Sequence, residues 1–309
     1  MKVAVSGATG NIGLALVQAL VARGDSVAAL SRDPERARAR FPAGVEALAW
    51  PDPKGAPPPA EALAGSQAVV HLLGEPVAQR WSAEAKQEIR DSRVFSTRNL
   101  VAGLGSLEAA ERPRVLVSQS ASGYYGSRGD ERVDESAPAG DDFLAGVTVA
   151  WEAEARAAEA LGIRVAITRT GVVLSESGGA LETMLPFFKA GVGGPVAGGK
   201  QYVPWIHADD VVRAVLFCID NEGAAGPLNF TAPEPATNKE LSRALGRVLR
   251  RPAFAPVPAM AVKTLYGEMA SIVTGGVRAV PRRLSELGFT FERPQLEDAL
   301  RDATGRNGA

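Results

Sequence analysis

The stretch Val5-Ser6-Gly7-Ala8-Thr9-Gly10-Asn11-Ile12-Gly13 restricts this chain more than any other. An unbroken apolar run, Lys2–Ser6, precedes it. Ile12, Leu16, Ala19 and Leu20 follow at helical spacing until Gly24 stops the pattern. Glycine lets backbone turn tightly, approach a diphosphate, and bring helix against strand. The helix start then offers unbonded N–H groups and a positive dipole end to phosphates. A purely structural strand–turn–helix can carry the same glycines. Its position between a strand and a helix points instead to a dinucleotide site, with Gly7, Thr9, Gly10, Asn11 and Ile12 as lining residues.

Further apolar runs at Ser26–Leu30, Ala68–Leu73, Arg114–Ser118 and Arg164–Thr168 do not alternate with polar residues, as strands covered on both faces should not. Helical patterns lie between them. Ile89, Val94, Leu100, Val101 and Leu104 mark one over 84–104, and Val147, Trp151, Ala155, Ala158 and Leu161 another over 147–161. Such alternation predicts βαβ units and an α/β fold, a Rossmann-type doubly wound parallel sheet. The texture changes after residue 175. Residues 191–199 are glycine-rich, Thr237-Asn238-Lys239-Glu240 reads as a capping box, and a helix over 209–221 begins with Asp209 and Asp210, which suit its dipole. The expected division is a dinucleotide-binding domain over 1–175, with 203–230 returning to it. A smaller α-rich substrate lobe then covers 176–202 and 231–309. Pro51 to Pro59 reads as a surface loop.

The end of the second strand selects the dinucleotide. An NAD site usually has Asp or Glu there to accept from the ribose hydroxyls. This strand ends Ala29-Leu30-Ser31-Arg32, with Arg36 one helical turn on. A short neutral Ser31 and a cation at Arg32 suit the 2′-phosphate of NADP(H). The competing reading makes Arg32 an ordinary surface residue and gives the ribose to Asp33. Leu73-Gly74, after the 68–73 strand, allows backbone near the cofactor, and Ser118, Gly171 and Val172 are expected to border it.

Lys+Arg 34 against Asp+Glu 35 gives a net charge of −1, so no basic excess points to nucleic acid or an anionic membrane. Cys218 is the lone cysteine and His71 and His207 the only histidines, which leaves too few ligands for an ordinary zinc site, and no metal is expected. No run of about 18 apolar residues exists to span a bilayer. A soluble cytoplasmic protein is the expectation.

The cofactor turn has the Gly-x-x-Gly-x-x-Gly spacing of extended short-chain dehydrogenases. More specific strings accompany it: Arg80-Trp81; Lys86 to Arg93; Ser120-Ala121-Ser122-Gly123-Tyr124-Tyr125-Gly126; Arg169 to Leu174; Trp205-Ile206-His207-Ala208-Asp209-Asp210; Asn229 to Pro235; and Pro281-Arg282-Arg283-Leu284. Together they resemble the atypical YfcH-like epimerase subfamily, with its small C-terminal domain of unassigned function, along essentially the whole chain. The resemblance implies an NADP(H)-binding extended fold and a homodimer through helices flanking the sheet. It fixes no substrate.

Typical members of that class use a Ser or Thr with a Tyr-x-x-x-Lys pair. The Tyr is general acid/base, and the Lys lowers its pKa and holds the nicotinamide ribose. The matching window, Phe143 to Glu152, contains neither Tyr nor Lys. Hydride transfer needs only cofactor and geometry, but the proton needs a donor. Candidates lie beyond the 114–118 strand, where open α/β sheets hold ligands. Ser120 or Ser122 could orient the substrate, and Tyr124 could act as replacement acid, against the plainer reading of a packed Tyr125-Gly126 turn. His207 is either a base or, more simply, a backbone-bonded joint. Trp151 reads as core and His71 as satisfied in its strand. The 191–201 loop, ending in Lys200-Gln201, is either a movable lid or a surface turn. Two functions remain open: an NADP(H)-dependent oxidoreductase or epimerase on a small polar substrate, perhaps a sugar nucleotide, and a non-catalytic NADP(H)-binding sensor or regulator.

Overall fold

A computed structural model describes residues 1–176 and 178–306. The expected lobe segments 176–202 and 231–309 therefore include Ser177 and residues 307–309, which lie outside the described residues. Seven strands form one parallel sheet: β1 (Lys2–Ser6), β2 (Ser26–Ser31), β3 (Glu46–Ala49), β4 (Ala68–His71), β5 (Val115–Ala121), β6 (Arg164–Thr170) and β7 (Gly226–Phe230). Their spatial order is β7-β6-β5-β4-β1-β2-β3. The chain runs outward from β1 on one side and returns on the other, so the strand order reverses between β1 and β4. In a doubly wound sheet that point opens a crevice beyond the strand carboxyl ends.

Each face of the sheet is covered. Val3, Val5, Val70, Val117 and Ala166 point to the face packed by α1 (Asn11–Ala22) and α6 (Ala208–Asp220, numbered with the helices below). Ala4, Val69, Leu116, Val165 and Ile167 point to the other face, under α3 (Ala83–Gly105) and α4 (Phe143–Arg156). Alternate residues of each strand thus serve opposite cores, which explains the continuous apolar runs. Further helices include α2 (Pro34–Arg38), α5 (Gly179–Lys189), α7 (Asn238–Leu249) and α8 (Ala259–Tyr266), with others such as Leu296–Asp302.

The helices start where their caps direct. Ser82 accepts from Ala85 N–H and Asp142 from Ala145 N–H. Thr237 and Glu240 form the expected reciprocal capping box. The strand β3 has no counterpart among the predicted strands. Its four residues, Glu-Ala-Leu-Ala, carry helix-forming composition, and pairing with β2 overrides it.

Leu174, Leu181, Trp205, Leu241, Leu245 and Leu300 form a separate core that draws on residues from both sides of the expected division. Asp210 ties the C-terminal segment to the sheet. This fully buried carboxylate accepts from Glu292 N–H at 2.7 Å and Arg293 N–H at 3.0 Å. Asp210 is therefore more than a first-turn dipole residue: it anchors the incoming 290–293 segment. Asp210→Ala would strand both N–H groups. We expect a loss of about 2–4 kcal/mol in urea denaturation, with Asp209→Ala, on the exposed side, near neutral.

Candidate functional site

The glycine turn is built by close approach. Gly7 has φ +70°, and a Cβ there would lie 2.8 Å from the carbonyl carbon of Leu72. A Cβ on Gly13 would collide with the Gly7 carbonyl oxygen. Gly7 thus admits the chain leaving β4, and Gly13 admits α1 against the turn. Gly10 is different: its Cβ would touch only the Gly7 oxygen at 3.4 Å, and it caps α1 without a side chain. The start of α1 is therefore uncovered by any cap side chain, as an approach by a diphosphate requires.

Beside the turn, Gly7, Thr9, Ser31, Arg32, Arg36 and Arg40 border a cleft of about 320 Å³ that Leu73 and Trp50 also line. Asp33 lines it too, but its Oδ1 accepts from Arg36 N–H at 3.0 Å as the cap of α2. Ser31 Oγ donates to the Asp33 carbonyl at 3.1 Å, closing the same turn. One oxygen of that carboxylate is thus used in the cap of α2. Arg40 was not singled out from sequence. It donates to the Thr9 carbonyl at 2.9 Å and reaches the glycine turn from beyond α2. The four-residue spacing Arg32, Arg36, Arg40 is the signal that could have found it.

A buried polar row lies under the carboxyl ends of β1 and β4. His71 Nδ1 meets Ser6 Oγ at 2.6 Å, and His71 Nε2 meets Thr97 Oγ1 at 2.9 Å. Thr97 also accepts from Trp151 Nε1 at 2.9 Å. Burial pushes the imidazole down to about 3, so His71 is neutral and structural. Ser118, beside it in β5, is buried, and its hydroxyl has no hydrogen-bond partner among the described residues. Trp151 is core, as its spacing implied. Arg93 of α3 sits over its ring at 5.2 Å, and a Cβ on Gly74 would meet the Arg93 guanidinium carbon at 3.0 Å. Burial lowers the Arg93 guanidinium to about 10. Sequence reading passed over this arginine because its only local signal is membership of a helix.

The expected reacting end holds a second buried network. Ser120 Oγ donates to Glu152 at 2.8 Å, and Arg169 grips both oxygens of the same carboxylate at 2.8 and 2.9 Å. Arg169 also donates to Tyr125 Oη at 3.1 Å, and Tyr125 donates to Asn229 at 2.7 Å. Burial opposes the charge on Arg169, yet Glu152 outweighs it and holds the guanidinium above its ordinary value. Burial pushes the Tyr125 phenol up to about 12. Ser120 is 1% exposed, so its hydroxyl serves this network. Tyr124 and Ser122 are half-buried one step further out, on a short 3₁₀ turn over Ser122–Tyr125. The Arg169 guanidinium lies 3.4 Å from the Tyr124 ring centre.

Other candidates are fixed by backbone. Gly171 N–H donates to the Phe230 carbonyl at 3.0 Å and Val172 N–H to the Pro204 carbonyl at 2.6 Å. A Cβ on Gly171 would strike that Pro204 oxygen. His207 caps α6, accepting from Asp209 N–H at 3.2 Å, with Nε2 3.2 Å from Asp302, which makes it the joint that its position suggested. His207, Asp209 and Asp302 are also the one group among the described residues with metal-ligand spacing. The glycine-rich stretch is packed rather than loose: Gly193 abuts the Phe188 ring and Gly199 lies against Lys239 and Pro195. Gln201 is spent on the Val196 and Val273 carbonyls.

Fold and turn together define a Rossmann-type protein with an extended short-chain dehydrogenase layout. The chain belongs to the NAD dependent epimerase/dehydratase family, whose pattern matches residues 3–229, and residues 257–303 match a domain of unknown function, DUF1731. An Arabidopsis thaliana relative, a chloroplastic SDR39U1 homologue of the epimerase family, is 42% identical over 97% of this chain and 86% of its own length. An epimerase family protein of Mycobacterium bovis is 41% identical over 99% and 98%. The crystal structure of human epimerase family protein SDR39U1 with NADPH matches with a TM-score of 0.87 and 32% identity, covering 99% of each chain. No helix among the described residues is long and apolar enough to cross a membrane.

Two outcomes follow from the buried networks. Glu152→Ala would leave Arg169 charged and unpaired, and should lower unfolding free energy by about 3–5 kcal/mol. His71 gains its proton near pH 6.5 when unfolded but only near pH 3 when folded. Between those values the unfolded chain binds the extra proton, so stability is complete above pH 6.5 and falls as pH drops. The slope should approach about 1.4 kcal/mol per pH unit. Urea midpoints at pH 7, 6, 5 and 4 would show it, and His71→Gln should flatten the curve.

Proposed function

We infer that this chain binds NADP(H), with the diphosphate on the Gly7–Gly13 turn and the 2′-phosphate among Arg32, Arg36 and Arg40. The single observation that carries the reading is the cleft that Arg32, Arg36 and Arg40 border together beside the glycine turn. Guanidinium groups match phosphate geometry and outlast any physiological pH change. Thr9, Asn11, Ile12, Leu73 and Gly74 complete the wall toward β4. The SDR39U1 structure with NADPH supports the same cofactor.

The reaction we propose is oxidoreduction or epimerisation of a small polar substrate beyond β5. Nicotinamide, when bound, supplies or accepts the hydride. Tyr124 would give or take the accompanying proton at its hydroxyl, and Ser122 would orient the substrate oxygen. Neither hydroxyl has a hydrogen-bond partner among the described residues. Ser120 acts at one remove, through Glu152 and Arg169, which hold the ring of Tyr124. Arg93 supplies from α3 the fixed cation that α4 lacks. Arg278, stacked 5.0 Å over the Tyr202 ring, has a buried Nε without a partner among the described residues, and suits a carboxylate or phosphate on the substrate. A sugar nucleotide has that chemistry.

A second reading, a non-catalytic NADP(H) sensor, draws on the face of α4, where Val147 and Trp151 are buried and neither Tyr nor Lys occurs. The two part on turnover. We expect NADPH to bind at least about tenfold more tightly than NADH in fluorescence titration, and Arg32→Ala/Arg36→Ala to remove that preference while sparing NADH. Equal affinities in the unmodified protein would defeat the cofactor assignment. With carbonyl and sugar-nucleotide substrates followed at the NADPH absorbance, Tyr124→Phe should lower kcat by about a hundredfold or more; no turnover of any substrate would favour the sensor.

A further inference from the structure

The dinucleotide cleft is not the only place where unpaired cations converge. On the outer face of the C-terminal lobe, Lys239, Arg243 and Arg247 recur every fourth residue along α7, and Arg250 and Arg251 follow directly after it. With Phe254 they line a groove of about 440 Å³. Arg247 is held by Glu297 at 2.9 Å. Lys239, Arg243, Arg250 and Arg251 take part in no ion pair among the described residues. Four unneutralised cations around one concavity repel one another, a cost that a bound anion removes.

Two independent features indicate that the groove is built. Arg250 ends α7 in the left-handed conformation, at φ 53° and ψ 45°, where glycine is the usual residue. Only Ala197 shares a positive φ among the described non-glycine residues. A strained backbone that carries a cation into a basic concavity is better explained by the use of its side chain than by its backbone preference. Gly246 is the second feature. A Cβ there would collide with Ala253, so its absence lets the 251–253 segment close onto the helix and form the far wall. Phe254, 81% exposed, stands at that wall as an apolar face beside the charges.

We propose that this groove is a second anion site, separate from the dinucleotide cleft, for a ligand bearing several phosphate charges. Arginine forks and a lysine supply the charge-assisted bonds, and the Phe254 ring receives the apolar part of the ligand. A soluble polyphosphate ester and a phospholipid headgroup present the same chemistry, so the test carries an arm for each.

The test is calorimetric titration of inorganic tripolyphosphate, and co-sedimentation with phosphatidylglycerol vesicles. Both use the full chain carrying Arg32→Ala/Arg36→Ala, which removes two of the three arginines of the first cleft. We expect saturable binding that weakens with salt and drops at least about tenfold on adding Arg243→Glu/Arg251→Glu. Arg250→Gly separates binding from folding: it relieves the left-handed residue, so the thermal midpoint should hold or rise while affinity falls severalfold. Binding confined to vesicles, and lost in the same variants, would assign the phosphate to a lipid. Equal affinity across these proteins, or no saturable binding to either probe at low salt, would overturn the site.

Discussion

The buried pair of Arg169 and Glu152 organises the carboxyl end of the sheet. Arg169 leaves β6 on the α4 face, takes both oxygens of Glu152, and reaches Tyr125, which bonds Asn229 of β7. One guanidinium thus joins β6, β7, α4 and the turn after β5. A charge so deep is tolerated only because its donors are largely satisfied. The consequence is rigidity where a substrate would lie. The ring of Tyr124 rests on that same guanidinium, so the outermost aromatic of the turn inherits its position from the pair.

This arrangement explains why α4 looks unfamiliar beside the ordinary members of its class. A helix that must present a Glu inward to Arg169 and a Trp inward to Thr97 has used its sheet-facing positions. Polar side chains stand instead on neighbouring elements. The turn after β5 carries hydroxyls, and α3 carries a cation, Arg93, braced against Trp151 and the glycine after β4. The glycine-turn end and the end of β5 are therefore built on different principles. The first is open backbone flanked by exposed arginines, and the second is a closed side-chain network with a narrow polar rim.

Much of this was legible in the sequence, for identifiable reasons. The glycine turn, the covered strands and the capping box are local codes: each depends on residues within a few positions, and each appears where its pattern placed it. Ser120 shows the limit. Its type and its place after β5 suggested a substrate contact, but its partner is Glu152, thirty-two residues away on another helix. Arg93 and Asp210 were obscured by the same cause, since their roles come from Gly74, Trp151 and the 290–293 backbone, which only the tertiary fold brings near. Strand β3 was missed for the opposite reason, because its composition argues against the pairing that holds it.

Several arginines fall into two contrasting groups. Where an arginine supports the fold, it ends on carboxylates or on carbonyls at the end of an element, as Arg169 does with Glu152 and Arg164 with the carbonyls of Cys218 and Ala224. Other arginines border concavities: Arg32, Arg36 and Arg40 beside the glycine turn, where Arg40 also holds the Thr9 carbonyl, and the row on and just after α7, where Arg247 is paired with Glu297. The chain is nearly neutral, with 34 basic against 35 acidic residues. Unpaired rows are therefore not the overflow of a basic protein. In a chain with enough carboxylates to neutralise them, leaving most of these cations without a carboxylate partner is a local choice, and it concentrates positive potential at two separate surfaces.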